Sequence, residues 1–173
     1  MSSGNGIENS HTLSVLVANK PGVLTHVSSL FSRRGYNIDS LTVGVTENPD
    51  ISRMTIVAHG DEHVIEQVTK QLNKLIDIIK VVEIAPHESV DRELALIKVS
   101  ADSGNRSEII QIVDIFRAKI IDVSAKSVVI EITGGTDKID ALEELMRPFG
   151  IKEMIRTGKV ALIRGGKLTQ FDK

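Results

Sequence analysis

The stretch Leu13-Ser-Val-Leu-Val-Ala-Asn-Lys-Pro-Gly-Val-Leu-Thr-His-Val-Ser-Ser-Leu-Phe31 decides the fold. Its opening run, Leu13 to Val17, is apolar and β-branched and predicts a strand, and Asn19-Lys20-Pro21-Gly22 predicts the turn that ends it. From Val23 onward the apolar residues recur at helical spacing, and Gly35 is a stop signal. A strand therefore leads directly into a helix, whose apolar face must cover a sheet.

The residues after this helix complete a βαββαβ pattern. Ile38 to Val45 alternates apolar and polar residues, and Glu47-Asn48-Pro49-Asp50 turns the chain back into a strand over Ile51 to Ala58, which makes a hairpin. Asp61 is a predicted N-cap for a second helix, and Ile79 to Ile84 is a predicted fourth strand. The second strand of this order lies at the edge of the predicted sheet.

The second half of the chain repeats the pattern of the first. A polar, Pro-containing joint at residues 85–92 separates the halves, and strand and helix signals then recur up to Ile163. We predict an α+β protein of two tandem ferredoxin-like βαββαβ sandwiches. The predicted segments are a disordered tail at 1–10, a first domain at 11–85 and a second domain at 86–173.

Composition excludes several classes of protein. The 173 residues are 41% hydrophobic and 25% charged with a formal net charge of -2, so general attraction to nucleic acid is not expected. No apolar run approaches the roughly 20 residues of a membrane span. There is no cysteine, and the start of the chain has no secretory or transit pattern, so we expect a cytoplasmic protein.

The turn before the first helix is the main candidate site. Pro21 suits the first helical position, and Gly22 allows close approach to the backbone. The amides of Gly22, Val23 and Leu24 lie at the positive end of the helix, where a small carboxylate such as that of an amino acid is stabilised. The alternative is a purely structural turn in which Asn19 caps the helix, and the pattern alone does not decide between the two.

A second candidate lies at the start of the second strand. The Asn37 side chain offers a donor and an acceptor that suit a zwitterion, although Asn also occurs wherever a chain needs left-handed geometry. Ile38 follows it, and residues 40–46 carry no charge and no proline on an edge strand. Because an unprotected edge favours pairing with a partner strand, we predict a homodimer through residues 38–46.

The remaining polar motifs predict no chemistry. His59-Gly60-Asp61-Glu62-His63 spans a strand-to-helix change, so we expect surface residues rather than a metal site. The glycine turn Gly134-Gly135-Thr136 lacks the rest of a phosphate-binding fingerprint, and Arg164-Gly165-Gly166-Lys167 reads as a solvated basic tail. No nucleophile or catalytic residue is assigned.

Several longer stretches resemble one family. They are Thr12-Leu-Ser-Val-Leu-Val, Asn19-x-x-Gly22-Val-Leu, Leu30-Phe-Ser-Arg-Arg-Gly-Tyr-Asn-Ile-Asp-Ser-Leu-Thr-Val43, Ser52-Arg-Met-Thr-Ile-Val57, Gln71-Leu-Asn-Lys-Leu75, Val90-Asp-Arg-Glu-Leu94 and Phe116-Arg-Ala-Lys-Ile-Ile-Asp-Val123. Together they are similar to the small, regulatory subunit of acetohydroxyacid synthase, also called acetolactate synthase. The resemblance covers nearly all of the chain except its tails.

The resemblance implies an amino-acid-sensing ACT domain at residues 11–85, followed by the family's C-terminal domain. It implies a non-catalytic chain that stimulates a separate catalytic subunit and confers feedback inhibition by valine or another branched-chain amino acid. Thiamine diphosphate, Mg and FAD belong to that catalytic subunit, and no cofactor is expected here. Asn19, Gly22 and Asn37 match the family's effector-contacting positions at the ACT dimer interface, with Pro21, Val23, Leu24 and Ile38 beside them.

Two other functions share this topology. An RNA-binding module would need exposed aromatic residues and a basic sheet, which Leu13 to Val17 and Ser52 to Val57 do not supply. A stand-alone ferredoxin-like enzyme would need an acid-base pair that a sequence can hide.

Overall fold

The structure is a computed structural model that describes residues 10–168. The chain forms two compact units. Of the described residues, the first holds 10–90 together with 159–168, and the second holds Asp91–Gly158. The predicted tail at 1–10 lies outside the described residues except for Ser10, which begins the first strand.

The first unit is a four-stranded antiparallel sheet with two helices. Its strand order is β2-β3-β1-β4, so β2 is an edge strand, as predicted. The elements in chain order are β1 (Ser10–Ala18), α1 (Val23–Arg34), β2 (Asn37–Val45), β3 (Ile51–His59), α2 (Glu62–Leu72) and β4 (Ile78–Ile84). This confirms the predicted βαββαβ order.

The core of the first unit lies between one face of the sheet and the two helices. Alternate residues of β1, namely Leu13, Val15 and Val17, are fully buried on that face. Phe31 is the largest buried side chain that α1 contributes, and its ring meets Tyr36 edge to face at 6.4 Å between centroids. This packing fixes α1, and therefore its N-terminus, against the sheet.

The helix boundaries follow the sequence signals with one exception. Asp61 caps α2, since its carboxylate accepts a hydrogen bond from the Val64 amide at 2.8 Å, and Gly35 ends α1 in a left-handed conformation with φ 69°. The prediction that Pro21 occupies the first helical position is wrong. Gly22 is the N-cap with φ 86°, and the helix begins at Val23. Because Gly22 takes a left-handed conformation, the chain before it lies outside the helix.

The second unit repeats this architecture. Its sheet has the order β6-β7-β5-β8. The elements are β5 (Ser89–Ser100), α3 (Arg106–Ile115), β6 (Lys119–Val123), β7 (Ser127–Gly134), α4 (Thr136–Met146) and β8 (Ile151–Arg156). Its core holds Ile97, Ile109, Ile130, Ile139 and Leu142, all fully buried. The structure therefore confirms two ferredoxin-like units in tandem.

The last strand, β9 (Val160–Ile163), pairs with β5 as the fifth strand of the second sheet, while its residues group with the first compact unit. Ala161 is buried there, and the Arg164 amide donates to the carbonyl of Glu88 at 2.7 Å. The Lys167 ammonium also pairs with the Glu88 carboxylate at 2.6 Å.

Residues 10–168 contain no helix that is both long enough and apolar enough to cross a membrane.

Candidate functional site

The β1–α1 corner, residues 19–25, presents free backbone amides. The first intrahelical hydrogen bond runs from the His26 amide to the Gly22 carbonyl at 3.0 Å, so the amides of the first turn have no helical acceptor. Gly22 has no side chain to cap them, and that turn contains no acidic residue. The positive end of the α1 dipole is therefore open to an anion.

Asn19 shapes this corner without capping the helix. Its side-chain amide donates to the Pro49 carbonyl at 2.8 Å, and its side-chain oxygen accepts from the Ser52 hydroxyl at 3.2 Å. Its own backbone amide donates to the Asp50 carbonyl at 2.8 Å. The alternative in which Asn19 caps α1 is therefore not what the structure shows. Asn19 instead ties the corner to the β2–β3 turn.

The predicted site residues next to the corner differ in whether their side chains are buried in the core or exposed to solvent. Val23 is buried in the core, so it offers the corner only its backbone amide. Pro21 is exposed, and Leu24 is 47% exposed on the first turn of α1. Leu24 is thus the apolar side chain that a ligand at the free amides can reach.

Asn37 belongs to a polar cluster at the start of β2. Its side-chain amide donates to one oxygen of the Asp39 carboxylate at 3.0 Å, and the other oxygen of that carboxylate pairs with the ring of His59. A bulge at this point shifts the β2–β3 register between Ile38 and Ser40. Ile38 itself packs against the core of the first unit.

The sequence pattern predicts no role for Asp39 and a surface position for His59. The hairpin register contains the signal that could have found them. Counting back from the turn at residues 47–50 places His59 opposite Ile38, next to Asn37 and Asp39, and the bulge shifts its partner to Asn37 in the structure. Only the bulge, which turns Asp39 toward both residues, could not be counted from the sequence.

The two candidate positions lie at opposite ends of the sheet. Asn19 follows Ala18, which pairs with Ile51, whereas Asn37 pairs with His59, which also pairs with Ser10. A nine-residue strand separates the two ends, which is about 26 Å at ~3.3 Å per residue. Within one chain, Asn37 therefore does not reach the β1–α1 corner.

Strand β2 offers an open edge between these two positions. It pairs only with β3, and its outer side carries no strand within residues 10–168. Val43 and Val45 are exposed near its end. Exposed apolar residues on an unpaired edge favour association with another strand.

The equivalent corner of the second unit, β5–α3 at residues 101–106, is closed by its own side chains. The Asp102 carboxylate accepts hydrogen bonds from the amides of Gly104 at 2.7 Å and Asn105 at 3.2 Å. The guanidinium of Arg106 donates to the Ser124 carbonyl at 2.7 Å. The amide of Arg106 also donates to the Asp102 carbonyl at 3.1 Å, so three consecutive amides of this loop have acceptors in the loop itself, although α3 has no side-chain cap on its own first turn.

The shifted pKa values of the molecule lie away from the β1–α1 corner. A hydrogen bond to Glu153 raises the pKa of Lys98, and the same pair lowers the pKa of Glu153. For Arg156, burial lowers the pKa, but hydrogen bonds to Glu93 and Asp140 outweigh it and raise the pKa. No group of three or more metal-ligating side chains occurs in the part of the chain described, residues 10–168.

Comparison with known proteins identifies the family. Residues 13–80 match the model of the "AHAS small subunit-like ACT domain", and residues 92–165 match that of the "small subunit of acetolactate synthase". The probable acetolactate synthase small subunit of Archaeoglobus fulgidus is 60% identical over 157 residues, covering 91% of this chain and 98% of that protein. The acetolactate synthase small subunit of Mycobacterium bovis is 57% identical over 155 residues, covering 90% and 92%.

A solved structure agrees with both results. The crystal structure of the acetolactate synthase small subunit from Thermotoga maritima superposes with a TM-score of 0.86 at 48% identity, covering 91% of this chain and 99% of that one. The chain therefore belongs to the family of acetolactate synthase small subunits, and its first unit is an ACT domain of the type found in that family.

Proposed function

We propose that this chain stimulates the catalytic subunit of acetolactate synthase and makes it sensitive to feedback inhibition by valine or another branched-chain amino acid. The amino acid binds where two ACT domains meet in a homodimer. The reaction takes place on the catalytic subunit, which carries thiamine diphosphate, Mg and FAD. This chain contributes no catalytic residue.

The proposal rests mainly on the β1–α1 corner, where the backbone amides at the start of α1 are free. An amino-acid carboxylate placed at the free amides of Gly22, Val23 and Leu24 accepts hydrogen bonds and gains roughly 0.3 to 1 kcal/mol from the helix dipole. The exposed side chain of Leu24 stands next to these amides and suits an aliphatic effector side chain. An amino acid with a branched apolar side chain satisfies both features at once.

The ammonium group of the effector needs an acceptor, and the Asn37 cluster supplies one. Asn37 and Asp39 carry side-chain oxygens at the start of β2. If two copies pair antiparallel through β2, Asn37 of one copy lies beside Val45 of the other. Val45 pairs with Ser52, whose hydroxyl contacts Asn19. Antiparallel pairing thus removes the separation of about 26 Å found within one chain.

This arrangement gives feedback a physical basis. An effector that bridges two protomers stabilises one arrangement of the dimer over others, and inhibition follows when that arrangement presents a less favourable surface to the catalytic subunit. A coupling of roughly 1 to 3 kcal/mol is sufficient, which corresponds to about a 5- to 150-fold change in affinity.

Calorimetric titration of valine, leucine and isoleucine into the purified chain tests whether it senses an amino acid. We expect saturable binding of at least one of the three. Sedimentation at micromolar concentration tests the dimer in the same samples. A monodisperse monomer contradicts the shared site, and a dimer that binds none of the three amino acids contradicts the effector assignment.

The substitution Gly22→Leu tests the site itself. Leucine at a φ of 86° is strained and places a bulky group at the free amides. We expect effector affinity to fall at least about tenfold while stimulation of the catalytic subunit persists. Gly135→Leu is the matched control, because Gly135 is a helix N-cap in the second unit with open space around it and φ -70°. Inhibition of the Gly22→Leu complex at an unchanged effector concentration would reject the site.

A further inference from the structure

Ile76 is a large apolar side chain held almost completely in water. It is 96% exposed, more than any other large hydrophobic residue in the described part of the chain. It lies in the loop of residues 73–77 between α2 and β4. Single exposed aliphatic residues are common on protein surfaces, so the significance of Ile76 depends on the loop that holds it and on the groove beside it.

The loop that carries Ile76 is firmly bonded to the sheet. The amide of Ile78 donates to the Leu75 carbonyl at 3.2 Å, and the amide of Ala18 donates to the Asp77 carbonyl at 2.9 Å. Leu75, the residue just before Ile76, packs against the core of the first unit. Ile76 is therefore presented in a fixed position, and its exposure is not the fraying of a loose segment.

A shallow groove adjoins this loop. It has a volume of about 460 Å³ and is lined by Leu75 and by four residues of α1, namely His26, Ser29, Ser32 and Arg33. The ring of His26 lies 3.4 Å from the Asp77 carboxylate, which links the loop to the helix. Ile76 and the residues lining this groove form what we call the Ile76 surface. This surface combines one projecting apolar side chain, Ile76, with a groove whose lining includes the basic residue Arg33 and no acidic residue.

We infer that the Ile76 surface is where the catalytic subunit of acetolactate synthase docks, with Ile76 entering an apolar pocket on that subunit. The inference rests on the proposed function for the identity of the partner. The cationic side chain of Arg33 favours an acidic margin around that pocket.

The position of the surface favours the catalytic subunit over a second copy of this chain. In the sheet order β2-β3-β1-β4, the proposed dimer edge β2 and the strand β4 that follows the Ile76 loop lie at opposite edges. A second copy paired through β2 therefore leaves the Ile76 surface uncovered.

The surface is also directly bonded to the proposed effector site. Asp77 holds the amide of Ala18, the last residue of β1 before Asn19, and pairs with His26 one turn into α1. A ligand that shifts the N-terminus of α1 therefore acts on the loop through two bonds. Feedback requires that one element contact both the effector and the catalytic subunit, and α1 together with this loop meets that requirement.

The experiment compares Ile76→Asp with wild type in the full chain. The catalytic subunit of the same enzyme is titrated with each protein by calorimetry, and stimulation of its activity is measured as a function of small-subunit concentration. We expect Ile76→Asp to bind at least about tenfold more weakly and to need correspondingly more protein for half-maximal stimulation. Valine binding to the variant alone should match that of the wild type.

Ile115→Asp is the matched control, because Ile115 is 78% exposed at the end of α3 in the second unit. It should bind the catalytic subunit as the wild type does. The inference is overturned if Ile76→Asp binds within twofold of wild type or if Ile115→Asp is weakened equally. A lower sedimentation mass of Ile76→Asp alone would also overturn it, since the surface would then join copies of this chain.

Failure of the proposed function gives a different result. If the wild-type chain binds the catalytic subunit through Ile76 but binds no branched-chain amino acid, the effector assignment fails and the docking surface stands. If valine binds and inhibits while Ile76→Asp docks normally, the docking surface fails and the effector assignment stands.

Discussion

The two strand-to-helix corners of this chain have the same place in the fold but differ in how the loop before the helix is bonded. At the β1–α1 corner, Gly22 leaves the first-turn amides of α1 without a side-chain acceptor. At the β5–α3 corner, the Asp102 carboxylate takes up the amides of Gly104 and Asn105. Neither helix has a side-chain cap, so the corners differ in the loop before the helix and in the acidic residue Glu108, which the first turn of α3 has and that of α1 lacks.

The two corners also differ in which hydrogen bonds anchor them. The first is anchored from outside, through the Asn19 contacts to Pro49 and Ser52, so its amides stay free. The second is anchored from inside, by Asp102 and by the guanidinium of Arg106. A corner that satisfies its own amides is stable without a ligand, whereas an open corner gains stability when an anion binds.

The largest expected effect comes from Arg106→Met. One nitrogen of Arg106 donates to the carbonyls of Ser124, Ala125 and Ala101 at 2.7, 3.2 and 3.3 Å, and methionine keeps the apolar stem but donates nothing. We expect the second unit to lose about 2 to 3 kcal/mol of stability. Hydrogen exchange of the α3 and β6 amides measures this loss within the second unit.

Arg106→Lys serves as the graded control for this substitution. Lysine keeps the positive charge but not the planar guanidinium, so its loss of stability should be intermediate. If Arg106→Met costs less than about 0.5 kcal/mol, the β5–α3 corner is not held from inside, and the contrast between the corners loses its basis.

A smaller effect is expected from Asp102→Ala, which opens the β5–α3 corner. The amides of Gly104 and Asn105 lose their shared acceptor, and we expect a cost of about 1 kcal/mol in the same hydrogen-exchange measurement. The opened corner lacks a left-handed glycine at the helix start, so we expect no second binding event for valine in calorimetry. A doubled binding stoichiometry would show that free amides alone suffice for an effector site.

The fold could be predicted from the sequence because its signals are local. The apolar run Leu13 to Val17, the Asp61 cap and the Gly35 stop each determine an element through residues that are neighbours in the chain. Local sequence signals also predicted the β1–α1 corner, although they placed Pro21 inside the helix. The features that local sequence signals did not predict depend on contacts between segments that are distant in the chain.

Two such features belong to the proposed effector site and the proposed docking surface. The Asn37, Asp39 and His59 cluster forms only because a bulge brings a β2 side chain toward the end of β3. The exposure of Ile76 depends on how the α2–β4 loop is bonded to β1, which no periodicity in residues 73–77 reports. A sequence window shows which residues are apolar, but only the packed chain shows which of them remain in water.

The smallest expected effect comes from Thr25→Glu, which tests the contrast between the two corners most directly. The substitution gives the β1–α1 corner a carboxylate acceptor, as Asp102 gives the β5–α3 corner. Thr25 is an exposed residue in the first turn of α1, where no acidic residue occurs. A carboxylate there interacts with the positive helix end, so we expect α1 to gain about 0.3 to 1 kcal/mol and valine affinity to fall because the two carboxylates compete.

Thr25→Gln separates charge from size in this test. Glutamine has nearly the same shape without the negative charge, so valine should bind the Thr25→Gln variant close to wild-type affinity. Calorimetry of both variants at low and high salt measures the difference, which should shrink as salt screens the added charge. Equal weakening in both variants would mean that side-chain bulk, not competition for the free amides, controls the site. The contrast between an open and a closed corner would then be one of shape and not of charge.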